Sequence, residues 1–422
     1  MLQVPFIRQN RDHVLARLAV KNFGELELID AVLSLDDRRK TLTFQYDEKK
    51  ASVNSASKEI GQLMAKGEKD LAEARKKEVA KLSAELGPIE AELTAVEKGL
   101  HDLLVRIPNL PAPSVPPGRT PEDNEVVRTG GKRPVLPAGA LPHWDLAKKY
   151  QLIDFELGTK ITGSGFPVYI DKGAKLQRAL IQYFLDYNTE AGYRELQVPH
   201  MVNEASAYGT GQLPDKEAQM YVVPEDGFYL IPTAEVPLTN VYRDEILKEA
   251  ELPVRMTGYT PCFRREAGSY GKDVRGLNRL HQFDKVELVQ LVQPEKSYDV
   301  LEEMVTHVER LLQTLQLEYR ILRLCGGDMS FTSALTYDFE VYSAAQEKWL
   351  EVSSVSNFEA YQTNRAKIRY KDAKGKTQLL HSLNGSSLAL PRILACLLEN
   401  HQTAEAIALP EVLHRYYGAT QI

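Results

Sequence analysis

The sequence predicts an α+β protein in which an antiparallel helical hairpin precedes a larger domain built on an antiparallel sheet. Three observations favour this organisation. Residues 28–105 are poor in Gly and Pro and carry a heptad of apolar residues, residues 107–120 are rich in Pro, and the rest of the chain mixes helix-like and strand-like segments. We therefore predict an N-terminal domain over 1–106, a linker over 107–120 and a second domain over 121–422.

The hairpin is predicted from two helical segments that flank a polar turn at residues 66–70. Gly67 can turn the chain there, and helices joined by a short turn run antiparallel. Each limb of about 30 residues would extend roughly 45 Å at 1.5 Å per residue, so the limbs form a coiled coil without a globular core. Gly87-Pro88 interrupts the second limb, and we expect a bend because an interior proline removes a backbone hydrogen bond. The heptad of the second limb consists of Val79, Leu82, Leu86, Ile89, Leu93, Val96, Leu100 and Leu103.

The composition is that of an ordinary globular chain and excludes several classes of protein. Of the 422 residues, 43% are hydrophobic and 26% are charged. No apolar run approaches the ~20 residues that span a bilayer, and the N-terminus lacks the basic flank and apolar core of a secretory signal. We therefore expect a cytoplasmic protein with no membrane partner. Cys262, Cys325 and Cys396 are too far apart for a disulfide framework or a paired zinc site, so no zinc is expected.

Positive charge is concentrated in the hairpin. The whole chain has a net charge of −6, yet residues 38–82 contain twelve Lys and Arg against seven Asp and Glu. Such an excess is typical of a solvated helical surface, and it is equally the pattern of a patch that binds a polyanion. The candidate residues for such a patch are Arg38, Arg39, Lys40, Lys49, Lys50, Arg75, Lys76 and Lys77.

The second domain is predicted to combine helices with strands in irregular order. Apolar residues at helical spacing precede Gly192, and residues 193–198 then alternate as a strand. Strand-like runs follow at 228–233, 256–266, 280–292, 336–343 and 349–355, with a helical stretch at 298–315. This order favours an antiparallel sheet over a doubly wound parallel one. No glycine-rich phosphate loop of the usual spacing is present, so ATP would have to be bound by another geometry.

Arg264 and Glu266 form the first candidate pair for chemistry. In a strand these two side chains would project from the same face, where an arginine suits phosphate or carboxylate oxygens and a carboxylate accepts from an amine. A cross-strand ion pair would explain the same spacing.

A second set consists of carboxylates near aromatic or hydroxyl groups. Phe283, Lys285 and Glu287 share one strand face, which could hold a stacking platform and a polar selector, or one core and one surface residue. Carboxylates beside hydroxyls recur in Thr233-Ala234-Glu235 and in Glu351-Val352-Ser353-Ser354, which we place at strand ends. Such oxygen pairs suit Mg²⁺, although surface Glu and Ser give the same pattern.

The third set lies near the C-terminus. Asn384-Gly385-Ser386 are predicted to form a turn, and the apolar run from 388 to 398 a buried helix that contains Arg392. An arginine in such a helix needs a partner, because an unpaired buried charge is unfavourable. A triphosphate or a neighbouring carboxylate would satisfy it.

Taken in order, these segments resemble the three motifs of class II aminoacyl-tRNA synthetases, and the chain closely resembles the seryl-tRNA synthetase family. The first motif is similar to Gly192 through Pro199, and the third to residues 383–386 leading to Arg392. The second is similar to Phe263-Arg264-Arg265-Glu266 with Val274-Arg275-Gly276-Leu277 and residues 279–283. Residues 233–235, 351–354 and 356–358 and Glu287 resemble the serine-specific positions, so the resemblance covers essentially the whole chain.

The resemblance implies an enzyme that activates L-serine with ATP to seryl-adenylate and transfers the seryl group to the 3′ end of tRNA-Ser, and of tRNA-Sec where that is present. For serine it implies that Thr233 and Glu235 hold the ammonium group. It implies that Glu287, with Ser386 and Asn384, receives the side-chain hydroxyl.

For ATP the resemblance implies that Arg264 contacts the α-phosphate and the serine carboxylate, while Glu266 reads the adenine amino group. Phe283 would stack under adenine with Leu280 alongside, and Arg392 would lie on the other side near the γ-phosphate.

The resemblance also implies Mg²⁺ held by Glu351 and Ser354, a homodimer formed through the first motif, and recognition of tRNA by the basic hairpin. The chain departs from the family pattern at Ser387 and at Pro391, where the third motif usually has glycine. Pro391 directly precedes Arg392, so the position of this arginine is the assignment that the departure affects most.

Two other functions are compatible with parts of this pattern. An aminoacyl:carrier-protein ligase would keep amino-acid activation but should lack the long basic hairpin. A non-catalytic coiled-coil protein with a degenerate synthetase domain should have lost the nucleotide residues, whereas Arg264, Glu266, Phe283, Glu351 and Arg392 are all present.

Overall fold

The computed structural model describes residues 1–215, 218–266 and 275–422, and the chain forms two compact units. The first unit comprises residues 1–19 and 23–108, and the second comprises 20–22 and 109–422. The helices of the first unit are α1 (Val4–Gln9), α2 (Arg11–Val20), α3 (Leu28–Ala65) and α4 (Lys69–Leu104).

Helices α3 and α4 form the predicted antiparallel hairpin, and both are longer than expected. They contain 38 and 36 residues, which corresponds to about 57 and 54 Å at the rise of an α-helix. Ion pairs join Arg38 to Glu92 and Arg75 to Glu59, as an antiparallel arrangement requires. Helix α4 continues through Pro88, and the predicted bend at this residue stays a prediction.

The predicted heptad of α4 is confirmed. Val79, Leu82, Leu86, Ile89, Leu93 and Val96 are half-buried while most of their neighbours are exposed, and Leu100 is buried. The facing seam of α3 is less regular, because Lys49 takes a place among its apolar residues. Its ammonium group bonds to Glu85 of α4, so a polar pair replaces an apolar contact there.

The base of the hairpin packs on α1 and α2 through an apolar cluster and a buried carboxylate. Ile7, Val14 and Ile29 are fully buried. Asp36 accepts from Arg8, Arg39 and Lys40 at 2.8 Å each. Burial by itself would raise the pKa of Asp36, but these hydrogen bonds hold it well below its usual range. Arg39 and Lys40 lie on α3 with Asp36, so it is the bond from Arg8 that joins α1 to α3.

The second unit is built on an eight-stranded sheet. The strands of the unit are β1 (Glu125–Gly130), β2 (Ile153–Asp154), β3 (Val168–Tyr169), β4 (Arg194–Glu195), β5 (Met201–Asn203), β6 (Val222–Val223), β7 (Phe228–Leu230), β8 (Ile246–Lys248), β9 (Val254–Phe263), β10 (Gln282–Val292), β11 (Tyr319–Arg323), β12 (Leu335–Ser343), β13 (Lys348–Asn357), β14 (Arg369–Lys371), β15 (Thr377–Leu379) and β16 (His381–Ala389). The order in the large sheet is β1-β11-β12-β13-β16-β10-β9-β4, and all of its pairs are antiparallel except the edge pair of β4 with β9. The predicted antiparallel α+β class is therefore confirmed.

Helices cover the large sheet, and the apolar core lies between the two layers. In particular, α10 and α12 contribute buried faces with residues such as Val308, Leu312 and Leu394. The helices of this unit are α5 (His143–Lys149), α6 (Phe155–Ile161), α7 (Asp171–Glu190), α8 (Glu204–Thr210), α9 (Glu235–Asn240), α10 (Ser297–Thr314), α11 (Tyr361–Ala366), α12 (Leu390–Asn400) and α13 (Glu411–Tyr417).

The proline-rich segment packs on the second unit from Asn109 onward. The backbone N–H of Asn109 donates to Phe331, that of Ala112 donates to Ala334, and both residues are buried. Lys21, which also belongs to this unit, donates to the carbonyls of Asn109, Phe331 and Ser333. A segment rich in proline lacks the N–H groups to pair as a regular strand. Its remaining backbone groups are satisfied by these bonds instead.

Several predicted elements are wrong in detail. The predicted turn at Asn384–Ser386 is the middle of strand β16, because β10 and β13 pair with it on both sides. Strand β9 ends at Phe263, so Arg264 and Glu266 do not lie in a strand, and Glu266 has a positive φ of 49°. Glu351 and Ser354 lie inside β13 and not at its end. Glu235 opens helix α9.

Candidate active site

The open face of the large sheet carries a cleft of about 330 Å³. Strands β10, β13 and β16 form its floor, and the segment before β10 and the first turn of α12 form its walls. All seven residues predicted to bind the nucleotide line it, together with Ser386 of the predicted serine set. These are Arg264, Glu266, Leu280, Phe283, Glu351, Ser354 and Arg392.

One end of the cleft presents an aromatic ring beneath a cation. The guanidinium of Arg264 lies 5.2 Å from the centre of the Phe283 ring, and its Nε donates to the carbonyl of Pro232 at 3.3 Å. Glu266 is ion-paired with Arg279, which also lines the cleft. Arg264 and Glu266 therefore meet in the cleft through the chain that follows β9, and not through the alternation of a strand.

The other wall is organised by Arg392. Its Nη1 donates to the Glu351 carbonyl at 2.7 Å and lies 3.5 Å from a carboxylate oxygen of Glu351, and its Nε donates to the Asn278 carbonyl at 3.1 Å. Pro391 occupies the first turn of α12, where a missing N–H removes no helical hydrogen bond. The departure from the family pattern at Pro391 therefore leaves Arg392 in the cleft.

A half-buried carboxylate, that of Asp338, lies next to the predicted metal ligands. Asp338 of β12 is the register partner of Ser354 on β13. Burial, and then the charge of Glu351, raise the pKa of Asp338 well above its usual range, while a hydrogen bond with Ser354 lowers it. One oxygen of Asp338 is buried without a hydrogen-bond partner among the described residues.

Glu287 forms the centre of a buried polar cluster beside the cleft. Its Oε2 accepts from Lys285 at 2.6 Å and from Thr233 at 3.2 Å, and the residue is fully buried. Its Oε1 is buried and has no partner in the described part of the chain. Lys285 also lines the cleft, and Ser386 is the register partner of Glu287 on β16. The unpaired oxygen is therefore a hydrogen-bond acceptor in a cluster that adjoins the cleft through Lys285 and Ser386.

Glu235 is the second carboxylate of this cluster. Asn384 donates to its Oε2 at 2.6 Å, and Gln362 donates to its Oε1. Burial, and then the charge of Glu287, raise the pKa of Glu235 to about 7. Two buried carboxylates thus share one cation, Lys285, so the cluster is suited to a ligand that brings a further positive charge.

Known proteins match this chain along its full length. Residues 1–111 match the seryl-tRNA synthetase N-terminal domain, and residues 221–401 match the tRNA synthetase class II core domain (G, H, P, S and T). A serine–tRNA ligase of Salinibacter ruber is 49% identical over 424 residues, which cover 100% of this chain and 99% of the relative. One of Methylacidiphilum infernorum is 46% identical, with 99% of each chain covered. The chain belongs to the seryl-tRNA synthetase family.

Solved structures of the family have the same fold. A seryl-tRNA synthetase from Pyrococcus horikoshii complexed with ATP has a TM-score of 0.91 and 33% identity, with 100% of this chain and 99% of that one covered. A cytoplasmic serine–tRNA ligase from Naegleria fowleri in complex with AMP has a TM-score of 0.87 and 26% identity, with 100% and 98% covered.

The whole hairpin is less basic than the charge count for residues 38–82 suggested. Across residues 28–105 there are thirteen Lys and Arg and fifteen Asp and Glu, so the excess is confined to part of the arm. Six of the eight candidate residues are ion-paired inside the unit, and Lys50 lies 5.0 Å over the Tyr46 ring. The paired residues are Arg38, Arg39, Lys40, Lys49, Arg75 and Lys76. Lys77 has no ion pair to any residue that the structure describes.

Sequence reasoning missed several residues of the site. Asp338, Gln362 and Asn278 were not singled out, because each takes its position from a strand pairing or a helix that is distant in sequence. The carboxylate directly opposite Ser354 could have been found only with the register of β12 and β13. Conversely, Ser356 and Asn357, which resemble serine-specific positions, bond to Thr336 and Ser297 outside the cleft lining.

Val274, which the resemblance assigns to the second motif, lies outside the described residues. Among the helices that are described, none combines the length and apolarity needed to cross a membrane.

Proposed function

We propose that this chain activates L-serine with ATP to form seryl-adenylate and pyrophosphate, and then transfers the seryl group to the 3′ end of tRNA-Ser. The observation that carries the proposal is the unpaired, buried Oε1 of Glu287 in a polar cluster beside a cleft lined by Arg264, Phe283 and Arg392. A small substrate with a hydroxyl and an ammonium group complements the polar cluster, and a nucleotide complements the cleft.

The nucleotide would occupy the cleft between Phe283 and Arg392. The ring of Phe283 and the side chain of Leu280 suit the face of adenine, and Glu266 can accept a hydrogen bond from its amino group. Arg264 and Arg392 place two guanidinium groups along the same cleft, where they can bind phosphate oxygens. Arg392 is held by the carbonyls of Asn278 and Glu351, so it is directed before ATP arrives.

Serine would occupy the polar cluster. Glu287 Oε1 would accept the hydrogen of its hydroxyl, and Glu235 with Thr233 would receive its ammonium group. Lys285 is paired with Glu287 and leaves the charge of Glu235 uncompensated. The ammonium group of serine would compensate it, so serine binding would relieve the repulsion between Glu235 and Glu287. Alanine lacks the hydroxyl and would leave the Glu287 oxygen unsatisfied, which can reduce its use by roughly 10⁴–10⁵.

Mg²⁺ would be held by Glu351 and Ser354. The donors are carboxylate and hydroxyl oxygens beside a buried Asp338 oxygen without a partner, and this set fits a hard dication. When bound, the ion supplies charge neutralisation for the triphosphate. Asp338 accepts from the Ser354 hydroxyl and thereby orients it.

The chemistry needs no nucleophilic side chain. The serine carboxylate attacks the α-phosphorus, the bond to the bridging oxygen breaks, and pyrophosphate leaves with that electron pair. The carboxylate is already a nucleophile, so the contribution of the protein is orientation and charge stabilisation by Arg264 and Arg392. In the second step a ribose hydroxyl of the tRNA attacks the seryl carbonyl, and AMP leaves.

The hairpin would bind the tRNA, and the first motif would form a homodimer. Four lysines near the tip of the hairpin have no ion pair to a described residue, namely Lys58, Lys66, Lys69 and Lys77, and they suit contact with phosphates. Strand β4, in the first motif, is the exposed edge of the large sheet and offers unpaired backbone groups to a second copy.

Serine-dependent exchange of pyrophosphate into ATP, measured with a panel of amino acids, tests the first step. Exchange with serine and at least about a hundredfold less with alanine and threonine would support the proposal. Aminoacylation of a tRNA-Ser transcript tests the second step. Exchange that responds equally to several amino acids, or to none, would refute the proposed substrate.

A further inference from the structure

A buried histidine and a buried glutamate lie behind the cleft wall and have no part in the function described so far. His143 begins helix α5, Glu399 lies near the end of α12, and both side chains are completely inaccessible to solvent. Neither residue lines the cleft. A buried charged group of this kind is retained only with full compensation, so its partners indicate what it holds.

The contacts of His143 define its tautomer. The backbone N–H of Leu277 donates to Nε2 at 2.8 Å, so Nε2 carries no proton. The proton is then on Nδ1, which lies 2.7 Å from Oε1 of Glu399 and donates to it. The imidazole therefore links a carboxylate on α12 to one peptide group of the segment that precedes β10.

Glu399 is held by four donors. Its Oε1 accepts from the backbone N–H and Nδ1 of His143 and from Nε2 of Gln346, and its Oε2 accepts from the hydroxyl of Ser343. Burial by itself would raise the pKa of Glu399, but these hydrogen bonds hold it below its ordinary value. A buried carboxylate that accepts four hydrogen bonds from three residues is a rigid anchor.

The peptide group that His143 holds belongs to the wall of the nucleotide cleft. Leu277, Asn278 and Leu280 all line the cleft. Two further features attach this segment to α5. The guanidinium of Arg275 lies 4.5 Å over the ring of Trp144, and Gly276 has a φ of +65° with no room for a Cβ against the His143 imidazole.

Helix α12 holds the same segment at two points. At its start, Arg392 donates from Nε to the carbonyl of Asn278. Seven residues later, on the same face of the helix, Glu399 holds the N–H of Leu277 through His143. One helix thus determines where the N–H of Leu277 and the carbonyl of Asn278 lie relative to Arg392.

We propose that His143 and Glu399 are positioning residues for ATP, which hold the Leu277–Leu280 wall in register with Arg392. This inference deepens the proposed function, because it concerns the nucleotide cleft of the same reaction. Neither side chain touches substrate. Their effect reaches ATP through the peptide group of Leu277.

Two substitutions of His143 separate this role from a general contribution to stability. The amide of His143→Asn reaches the Nδ1 position and can still donate to Glu399, but it leaves the Leu277 N–H without an acceptor. The amide of His143→Gln reaches the Nε2 position and restores that acceptor while it withdraws the donor to Glu399. His381→Asn is a control, since His381 is a half-buried histidine that bonds to Ser297 at 2.8 Å and lies outside the cleft lining.

The measurements are the apparent KM values for ATP and for serine in pyrophosphate exchange, together with the thermal midpoint Tm. We expect His143→Asn to raise the KM for ATP about tenfold, the factor that corresponds to about 1.4 kcal/mol for one lost buried hydrogen bond. The KM for serine should change by less than about twofold and Tm only slightly. His143→Gln should lower Tm more than His143→Asn does and yet return the KM for ATP to near the parent value.

A KM for ATP that rises in both variants in proportion to the fall in Tm would overturn the inference, because the pair would then be structural only. Equal effects on ATP and serine would do the same. Exchange by the parent chain tests the proposed function separately from this comparison. Absence of serine-dependent exchange in the parent would refute that function. The positioning role is decided instead by the ratio of the KM values for ATP in the two His143 variants, and calorimetric titration of each variant with ATP is the second measurement.

Discussion

Replacing the Glu287 carboxylate by an amide should reduce the preference for serine over alanine by about ten- to a hundredfold. In the parent, Oε2 of Glu287 is occupied by Lys285 at 2.6 Å and Thr233 at 3.2 Å, and only Oε1 is free to accept from a substrate. In Glu287→Gln the amide oxygen must face the ammonium of Lys285, because that cation requires an acceptor. The NH₂ group then takes the place of Oε1 and presents a donor where the serine hydroxyl needs an acceptor.

The magnitude follows from the hydrogen bond that is lost. A hydrogen bond to a charged, buried group contributes about 1.5–3 kcal/mol, which corresponds to a factor of roughly 10 to 150. We therefore expect kcat/KM for serine to fall by about ten- to a hundredfold, while kcat/KM for alanine, which has no hydroxyl, stays within about threefold. Glu287→Ala should reduce serine activation further, because it also leaves Lys285 buried without its carboxylate.

The assay is pyrophosphate exchange with serine and with alanine for each variant, and the quantity of interest is the ratio of the two kcat/KM values. Glu340→Gln is the control, since Glu340 pairs with Arg320 between β11 and β12 and does not line the cleft. If Glu287→Gln reduced serine and alanine activation by the same factor, Glu287 would not contact the hydroxyl. Unchanged serine activation would refute its place in the site altogether.

Three further predictions concern pH, the nucleotide and the hairpin. Because the pKa of Glu235 is raised to about 7, this residue becomes protonated as pH falls from 8 to 6, so the KM for serine should rise over that range and should be nearly flat in Glu235→Gln. The raised pKa also means that the folded state binds this proton more strongly than the unfolded state. Stability should therefore decrease as pH rises from about 4.5 to 7, and a thermal scan of Glu235→Gln should show a smaller decrease. Phe283→Ala should raise the KM for ATP more than that for serine, and an effect on serine alone would show that the ring does not face the nucleotide. Replacing residues 38–100 by a short linker should leave adenylate formation nearly intact while tRNA charging falls by orders of magnitude and tRNA binding becomes less salt-sensitive, with a slope reduced by about 0.7–0.9 per lost phosphate contact. Parent-like charging by the shortened chain would contradict recognition by the hairpin.

The structure changes the physical basis of that last prediction. The basic residues of the arm near its base, such as Arg38 and Lys40, are compensated by Glu92 and Asp36. The lysines without an ion pair to a described residue, such as Lys66 and Lys77, lie nearer the turn. Charge reversal at the turn should therefore weaken tRNA binding more than charge reversal at the base, a difference that the local charge count could not reveal.

Sequence patterns with a short period were sufficient for much of the architecture. The heptad from Val79 to Leu100 determines which face of α4 is buried, because residues three and four apart share one face of a helix. The alternation in β10 likewise places Phe283, Lys285 and Glu287 on one face, and the cleft and its polar cluster contain all three. Local geometry alone relates these residues to one another.

Contacts between distant segments required the tertiary structure. Arg264 and Glu266 reach the cleft after the end of β9, Asn384 lies in a strand although Asn-Gly-Ser favours a turn, and Gln362 meets Glu235 from a separate helix. The pairing of Asp338 with Ser354 depends on the register of two strands. The His143–Glu399 link depends on where α5 and α12 dock. Sequence spacing constrains neighbours along one element, whereas register and docking are decided by the packing of the whole core, and the environment of each buried charge depends on that packing.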